Sequence, residues 1–302
     1  MSGSPFAAWY RRYYLLVNLP VLLIATELAL SRLDPVNRSH GSNLDRAVER
    51  YRASPPGAAP VLLVVGNSVV RSGIDQDAVE RGLASRGGWR VYNFGLNTAR
   101  FDDEAWLLDD LARRGIAPRA ILLGVNLYSI RDTPSDSRYP WHPRRSPYVF
   151  FHRAYLWGGI TERLTQLIAP RPARPYAQFA NAVLTPDELD AQARTFIGQF
   201  AHHGAADFPL LDQLPVLLRR AAERGIRVHA VLLPMNPIAT GFAEYPALVA
   251  AIRDRLPAGS LDLTADGYSK DLFDDVGHLD EAGRRRLTAR ITDWLAREIG
   301  AP

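Results

Sequence analysis

Four short stretches of this sequence carry side chains able to act together: Gly66-Asn67-Ser68, Gly95-Leu96-Asn97, Gly124-Val125-Asn126 and Asp275-Val276-Gly277-His278. A serine hydroxyl is a poor nucleophile until a base takes its proton and a third group orients that base. His278 is such a base, and Asp275, three residues earlier, can hold its Nδ1 and stabilise the imidazolium. The Ser68 and Gly95 N–H groups and the Asn126 amide are donors for an oxyanion. Losing one such donor typically costs on the order of 10²–10³ in rate. Together these groups equip a site for acyl transfer through a serine ester. Each also has a plainer use: Ser68 as a helix cap, Gly95 as a turn residue, Asn126 in an Asx turn, His278 capping the last helix, Asp275 closing a loop.

Position in the chain bears on the choice. Val61–Val65, Val91–Phe94 and Ala120–Leu123 are apolar runs of strand length, and each leads into a glycine-containing turn. Helical patterns at Asp75–Arg86 and Asp102–Arg114 lie between them, so strand ends recur about every 30 residues, the period of successive βα units. The rhythm resumes with a helix over Leu210–Arg224 stopped by Gly225, a strand at Val228–Leu233, a helix near Tyr245–Arg255, a short strand at Leu261–Leu263 and a last helix over Asp280–Ile299. Alternation of this kind predicts an α/β domain: a doubly wound, five-stranded parallel sheet with helices on both faces. Ligands of such sheets bind beyond the carboxyl ends of the strands. All four stretches fall at that edge. The interval 132–207 breaks the pattern with eight prolines and the aromatics Tyr139, Trp141, Tyr148, Phe150, Phe151, Tyr155 and Trp157; it reads as an insertion over the same edge.

Composition removes other chemistries. With 302 residues and 47% hydrophobic content, the chain can bury a full core. It has no cysteine, which excludes thiol nucleophiles, Cys-based zinc sites, iron–sulfur clusters and disulfides. Neither GxGxxG nor GxxxxGK[ST] occurs, so dinucleotide and P-loop readings drop out, and no metal or organic cofactor is implied. The formal charge is +4, but no block of like charge exceeds three residues, which gives nucleic-acid binding little support.

The amino-terminal 33 residues differ from the rest. Tyr13–Leu30 is an apolar run preceded by Arg11-Arg12, bordered by Trp9, Tyr10, Tyr13 and Tyr14, and interrupted by Asn18, Pro20 and Glu27. Eighteen helical residues reach roughly 27 Å, close to a hydrocarbon core of about 30 Å. The expectation is a retained signal-anchor over 1–33, a polar linker over 34–59 with a short helical stretch around Leu44–Tyr51, and a domain over 60–302 outside a cytoplasmic membrane. A signal peptide cleaved near Ala29-Leu30-Ser31 and an amphipathic helix of a soluble domain are the other readings.

The blocks Gly66-Asn67-Ser68, Gly95, Gly124-x-Asn126 and Asp275-x-x-His278 resemble those of the SGNH/GDSL hydrolase superfamily across residues 60–299, apart from the insertion. The resemblance implies a flavodoxin-like fold with Ser68 as nucleophile, His278 as base, Asp275 as its orienter, and Ser68, Gly95 and Asn126 as oxyanion donors. The usual first-block Asp is Asn67 here, and the Asp that often follows the third-block Asn is Leu127. An anchor ahead of this domain, and Leu233-Pro-Met-Asn-Pro237 after the fourth strand, look similar to DltD-like and alginate-acetylation-type proteins. That similarity implies an acyl-ester donor, a cell-envelope polysaccharide or other polymer as acceptor, and a membrane-bound O-acyltransferase as partner. Delivery of the acyl group to water (an esterase) and a non-catalytic glycan-binding role are the competing functions.

Overall fold

Apolar runs without alternation build the centre of the molecule. Val61–Val65 (β1) and Ala120–Val125 (β3) are buried at every residue, as strands covered on both faces must be. With Arg90–Asn93 (β2), Arg227–Leu232 (β4) and Leu261–Asp262 (β5) they form a five-stranded sheet in the order β2-β1-β3-β4-β5, all neighbours parallel. The computed structural model describes residues 13–14, 18, 21–22, 44, 47–96, 99–130, 185–198, 200 and 210–299. Its helices, in chain order, are Ser68–Gly73 (α1), Gln76–Gly82 (α2), Phe101–Arg113 (α3), Pro186–Gly198 (α4), Gln213–Glu223 (α5), Pro237–Thr240 (α6), Tyr245–Arg253 (α7) and Glu281–Glu298 (α8).

Two layers of helix cover the sheet. On one face Leu62, Val64, Leu122 and Val231 pack with Val70 of α1, Val79 of α2, and Leu287 and Ile291 of α8. Leu63, Val65, Ile121 and Leu123 alternate to the other face. On α3, Asp109 pairs with Arg220 of α5 and with Arg224, which caps that helix, at 2.8 and 2.5 Å. Full burial of one such Leu or Val side chain is worth about 1.5–3 kcal/mol. The caps are short polar side chains: Asn67 for α1, Asp75 for α2 and Asp280 for α8, each accepting from N–H groups of the first turn.

Strand order decides where a ligand belongs. The chain leaves β1 for β2 at one edge, then returns past β1 to β3 on its other side. This reversal is the switch point at which doubly wound sheets bind ligands. Val65 of β1 lies opposite Leu123 of β3, so residues 66–68 and 124–126 emerge side by side.

By compactness the chain divides into residues 1–42 with 137–172, and residues 43–136 with 173–302. The expected linker over 34–59 therefore needs correction from residue 43 onward. Leu44, Ala47 and Val48 are buried, the ring of Tyr51 meets that of Tyr92 on β2 at 4.9 Å, and the Tyr92 hydroxyl donates to the Ser54 carbonyl. The insertion also contains more order than a proline-rich loop: α4 buries Ala193, Phe196 and Ile197. Its aromatics Tyr139 to Trp157 lie outside the described residues. So does most of the expected span 13–30; within it Tyr13, Tyr14, Asn18, Val21 and Leu22 are helical, and Asn18 Nδ2 donates to the Tyr14 carbonyl at 2.8 Å. Among the described residues, no helix is long and apolar enough to cross a membrane.

One buried charge at the start of α3 has a measurable consequence. Asp103 accepts the Arg100 N–H at 3.2 Å and Asp102 pairs with Arg100 at 2.9 Å, but among the described residues neither carboxylate oxygen of Glu104 has a hydrogen-bond partner. Burial, then the nearby Asp103 and Asp102, push the Glu104 carboxyl well above the usual range. Because the folded value is raised, the stability that Glu104 contributes is complete below the ordinary carboxyl range and is lost as pH rises through the folded value. Glu104→Gln keeps the shape and removes the ionisation. The variant should gain on the wild type by about 1.4 kcal/mol per pH unit between the ordinary carboxyl value and the raised folded one, hold that margin above it, and show no further change in acid. Urea titrations across pH check this, and parallel stability curves would refute it.

Candidate active site

The nucleophile candidate is placed by a forced turn. After β1 the chain passes Gly66 at φ +153°, a region side chains rarely adopt, and a Cβ there would lie 2.3 Å from Val70 Cγ2 and 2.8 Å from the Gly124 carbonyl oxygen. Asn67 then caps α1 by accepting the Val69 N–H at 3.0 Å, so Ser68 becomes the first helical residue. Its side chain stands at the sheet edge. Its N–H, which no turn of helix can satisfy, takes part in no hydrogen bond among the described residues.

His278 reaches Ser68 from 210 positions along the chain. His278 Nε2 lies 2.9 Å from Ser68 Oγ, and Nδ1 lies 2.7 Å from Asp275 Oδ2. An ionised carboxylate only accepts, so Nδ1 carries the proton and Nε2 is left to accept from the serine hydroxyl. The other Asp275 oxygen accepts the N–H groups of Gly277 and His278 at 2.8 and 2.7 Å. Burial alone would raise the Asp275 carboxyl; the hydrogen bonds and charge attraction from His278, with the two N–H donors, outweigh it and hold the group below the usual range. An antiparallel bridge between Phe273 and Leu279 and the Asp274 N–H to His278 carbonyl bond, 2.8 Å, close the loop that carries both residues.

The expected oxyanion donors do not all behave alike. Asn126, 1% exposed at the end of β3, accepts at Oδ1 from Asn67 Nδ2 and from the Tyr128 N–H, both at 2.9 Å. Those donors fix which end of the amide is oxygen. Among the described residues Nδ2 has one contact, at 3.3 Å to Asn67 Oδ1, which uses one of its two hydrogens. Gly95 departs from the expectation: its N–H donates to Asn93 Oδ1 at 2.9 Å, within its own turn. What its position requires is the absence of a side chain, because a Cβ at Gly95 would sit 2.7 Å from the backbone nitrogen of Arg71 on α1. The available donors are thus Ser68 N–H and Asn126 Nδ2.

Three further residues support the set and were not singled out by sequence. Asn93, at the end of β2, accepts from Gly95, and its Nδ2 meets the Ile74, Arg71 and Val70 carbonyls at 3.0, 3.3 and 3.4 Å, holding the far end of α1. Asn236 is fully buried; it donates to the Asp275 carbonyl at 3.1 Å and accepts from Ile238 to cap α6. Ser129 contributes its hydroxyl to the buried Asn67 and Asn126 pair, 3.4 Å from Asn67 Nδ2. An Asn just before Pro237 is a helix-cap signal that could have revealed Asn236, and a polar residue ending an apolar run could have revealed Asn93. Among the described residues, no group of three or more His, Asp or Glu is arranged to hold a metal ion.

No family model matches this sequence, and no curated protein matches it either. Among solved structures the chain is similar to a catalytic mutant of an acetylxylan esterase from Geobacillus stearothermophilus, with a TM-score of 0.37 and 15% sequence identity over 80% of this chain and 94% of that one. Overlap this loose transfers neither substrate nor activity.

Proposed function

We propose that the protein is a serine acyl-ester enzyme of SGNH type working through a Ser68 acyl-enzyme. The observation that carries this reading is the continuous Ser68–His278–Asp275 chain, 2.9 and 2.7 Å, at the switch point of the sheet. Ser68 Oγ attacks the ester carbonyl carbon as its proton passes to His278 Nε2. Asp275 offsets the charge of the imidazolium. The carbonyl oxygen, now an oxyanion, takes hydrogen bonds from Ser68 N–H and Asn126 Nδ2. Collapse breaks the ester C–O bond, and His278 returns the proton to the departing alkoxide. A second hydroxyl compound then gives its proton to His278 and attacks the acyl carbon; the bond from that carbon to Ser68 Oγ breaks, and His278 returns the proton to Oγ.

The finer proposal concerns that second hydroxyl. Residues 13–30, apolar and flanked by Arg11-Arg12 and aromatic side chains, support a membrane tether with the domain on the extracytoplasmic side. On this reading a cell-envelope polysaccharide or similar polymer receives the acyl group, beside a membrane-bound O-acyltransferase. Delivery to water, as an esterase, is the second reading, and the loose likeness to an acetylxylan esterase is no argument for it.

A fluorophosphonate probe tests the enzyme class. Folded wild-type protein should be modified at Ser68, as located by mass spectrometry, and Ser68→Ala should be inert. Folded protein that leaves Ser68 unmodified refutes the catalytic reading. Hydrolysis of p-nitrophenyl acetate, with and without an added oligosaccharide, then separates transfer from hydrolysis: transfer yields acylated sugar, hydrolysis yields only acetate.

A further inference from the structure

Resting on the acyl-ester reading, we infer that Tyr128 is a positioning residue that holds the base and the oxyanion donor in one frame, with Gly277 kept small to admit its ring. Tyr128 lies in the 3-10 turn Leu127–Ile130 that follows β3. Its backbone and its ring act on different parts of the site. The N–H donates to Asn126 Oδ1 at 2.9 Å, which turns Asn126 Nδ2 towards the oxyanion position. The ring lies across the base loop: a Cβ at Gly277 would be 2.5 Å from Tyr128 Cε2, and ring centroids of Tyr128 and His278 are 6.1 Å apart, tilted by 42°. Asp275 at Nδ1 and Ser68 Oγ at Nε2 hold the imidazole along its length, and rotation about that line would swing the ring plane. Tyr128 blocks the swing from the side.

Helix α4 backs the tyrosine in turn. Phe196 sits 4.4 Å from the Tyr128 ring, and Phe200 meets Phe196 edge-on at 5.4 Å. The described end of the insertion therefore reaches His278 through two aromatic contacts. The Asn126 contact comes from the backbone and persists in side-chain variants, so the ring's own role rests on its place over Gly277 and beside His278. Misplacing a reacting group by about 1 Å can cost on the order of 10² in rate.

The full chain carrying Tyr128→Ala, Tyr128→Leu or Tyr128→Phe is compared with wild type on p-nitrophenyl acetate and in the rate of Ser68 phosphonylation, each normalised to the folded fraction by near-ultraviolet circular dichroism. The expected result is a kcat lower by about 10–100-fold for the alanine and leucine variants, with KM unchanged, and recovery of most of that loss by phenylalanine, which keeps the ring. The leucine variant fills most of the volume without a flat face and decides the matter should the alanine variant not fold. Wild-type kcat in the leucine variant, a loss confined to KM, or equal losses in the phenylalanine and leucine variants would each overturn the inference. Should wild-type protein itself leave Ser68 unlabelled, it is the acyl-ester reading that has failed. Labelled wild type with an equally fast leucine variant refutes the role of Tyr128 alone.

Discussion

Asp275→Asn should lower turnover on an acyl ester by about 10⁴-fold while leaving the protein folded. The reason is the direction of two backbone donors. Gly277 and His278 N–H both point at Asp275 Oδ1, at 2.8 and 2.7 Å, and an amide must present its oxygen to them. Its NH₂ group then takes the place of Oδ2, 2.7 Å from His278 Nδ1. A donor there forces Nδ1 to accept, so the single ring proton moves to Nε2 and faces Ser68 Oγ. An imidazole protonated at Nε2 cannot take the serine proton. The loop survives because its backbone hydrogen bonds are kept. Steady-state kinetics, fluorophosphonate labelling and thermal unfolding of the variant check the three parts. A rate within tenfold of wild type, with Ser68 still the labelled residue, would sink the assignment of Asp275. Stability carries a second signature. The folded Asp275 carboxyl lies below the usual range, so its contribution is present above the ordinary value and is lost as pH falls through the folded one. Wild type should therefore exceed the variant in stability near neutrality and lose that margin in acid.

How much of this was legible in the sequence depends on the distance over which each feature is determined. Val61–Val65 and Ala120–Val125 are buried at every residue, so uninterrupted apolar runs revealed them directly, and the residues just past them inherited a place at the sheet edge. Ser68 follows by that route, Asp275 and His278 by their place between the short fifth strand and the last helix, and the structure brings the three together. Gly95 shows the limit. Its position followed from the strand, but the direction of its N–H depends on a rotamer of Asn93 that no spacing encodes. Asn236 acts on a carbonyl 39 residues away, and the Tyr128 ring acts on Gly277, so neither role has a local mark. Two helical pieces belong to the packed domain for a reason that composition hides: the expected helical stretch around Leu44–Tyr51 reads as part of a linker, and Pro186–Gly198 reads as part of a proline-rich insertion. Leu44, Ala47 and Val48 repeat at i, i+3, i+4, as do Ala193, Phe196 and Ile197, and both sets are buried. This is the apolar stripe of a packed helix, but one turn of it inside a polar or proline-rich stretch is outvoted when the segment is judged by composition.

The largest expected loss of stability comes from a residue with no side chain. Gly66→Ala should destabilise the domain by about 2–6 kcal/mol, summing roughly 1–3 for a disfavoured backbone conformation and roughly 1–3 for overpacking. Against a typical total of about 5–15 kcal/mol this brings unfolding close. Both costs are visible. Gly66 has φ +153°, and its absent Cβ would fall 2.3 Å from Val70 Cγ2, 2.9 Å from Val70 Cβ and 2.8 Å from the Gly124 carbonyl oxygen. Val70 of α1 presses on Gly124 as well, where a Cβ would lie 2.4 Å from its Cγ2. The two glycines thus let one valine wedge the start of α1 against the ends of β1 and β3. Val70→Ala in the Gly66→Ala background should recover only part of the loss, since the backbone conformation and the Gly124 carbonyl remain. Ser68 is two residues from the altered turn, so the rate of fluorophosphonate labelling per folded molecule should fall too. Chemical denaturation of both variants measures the first effect and labelling kinetics the second. A Gly66→Ala cost below about 0.5 kcal/mol, the range of ordinary surface changes, would mean that the turn after β1 is free to relax and that Ser68 is not held by it.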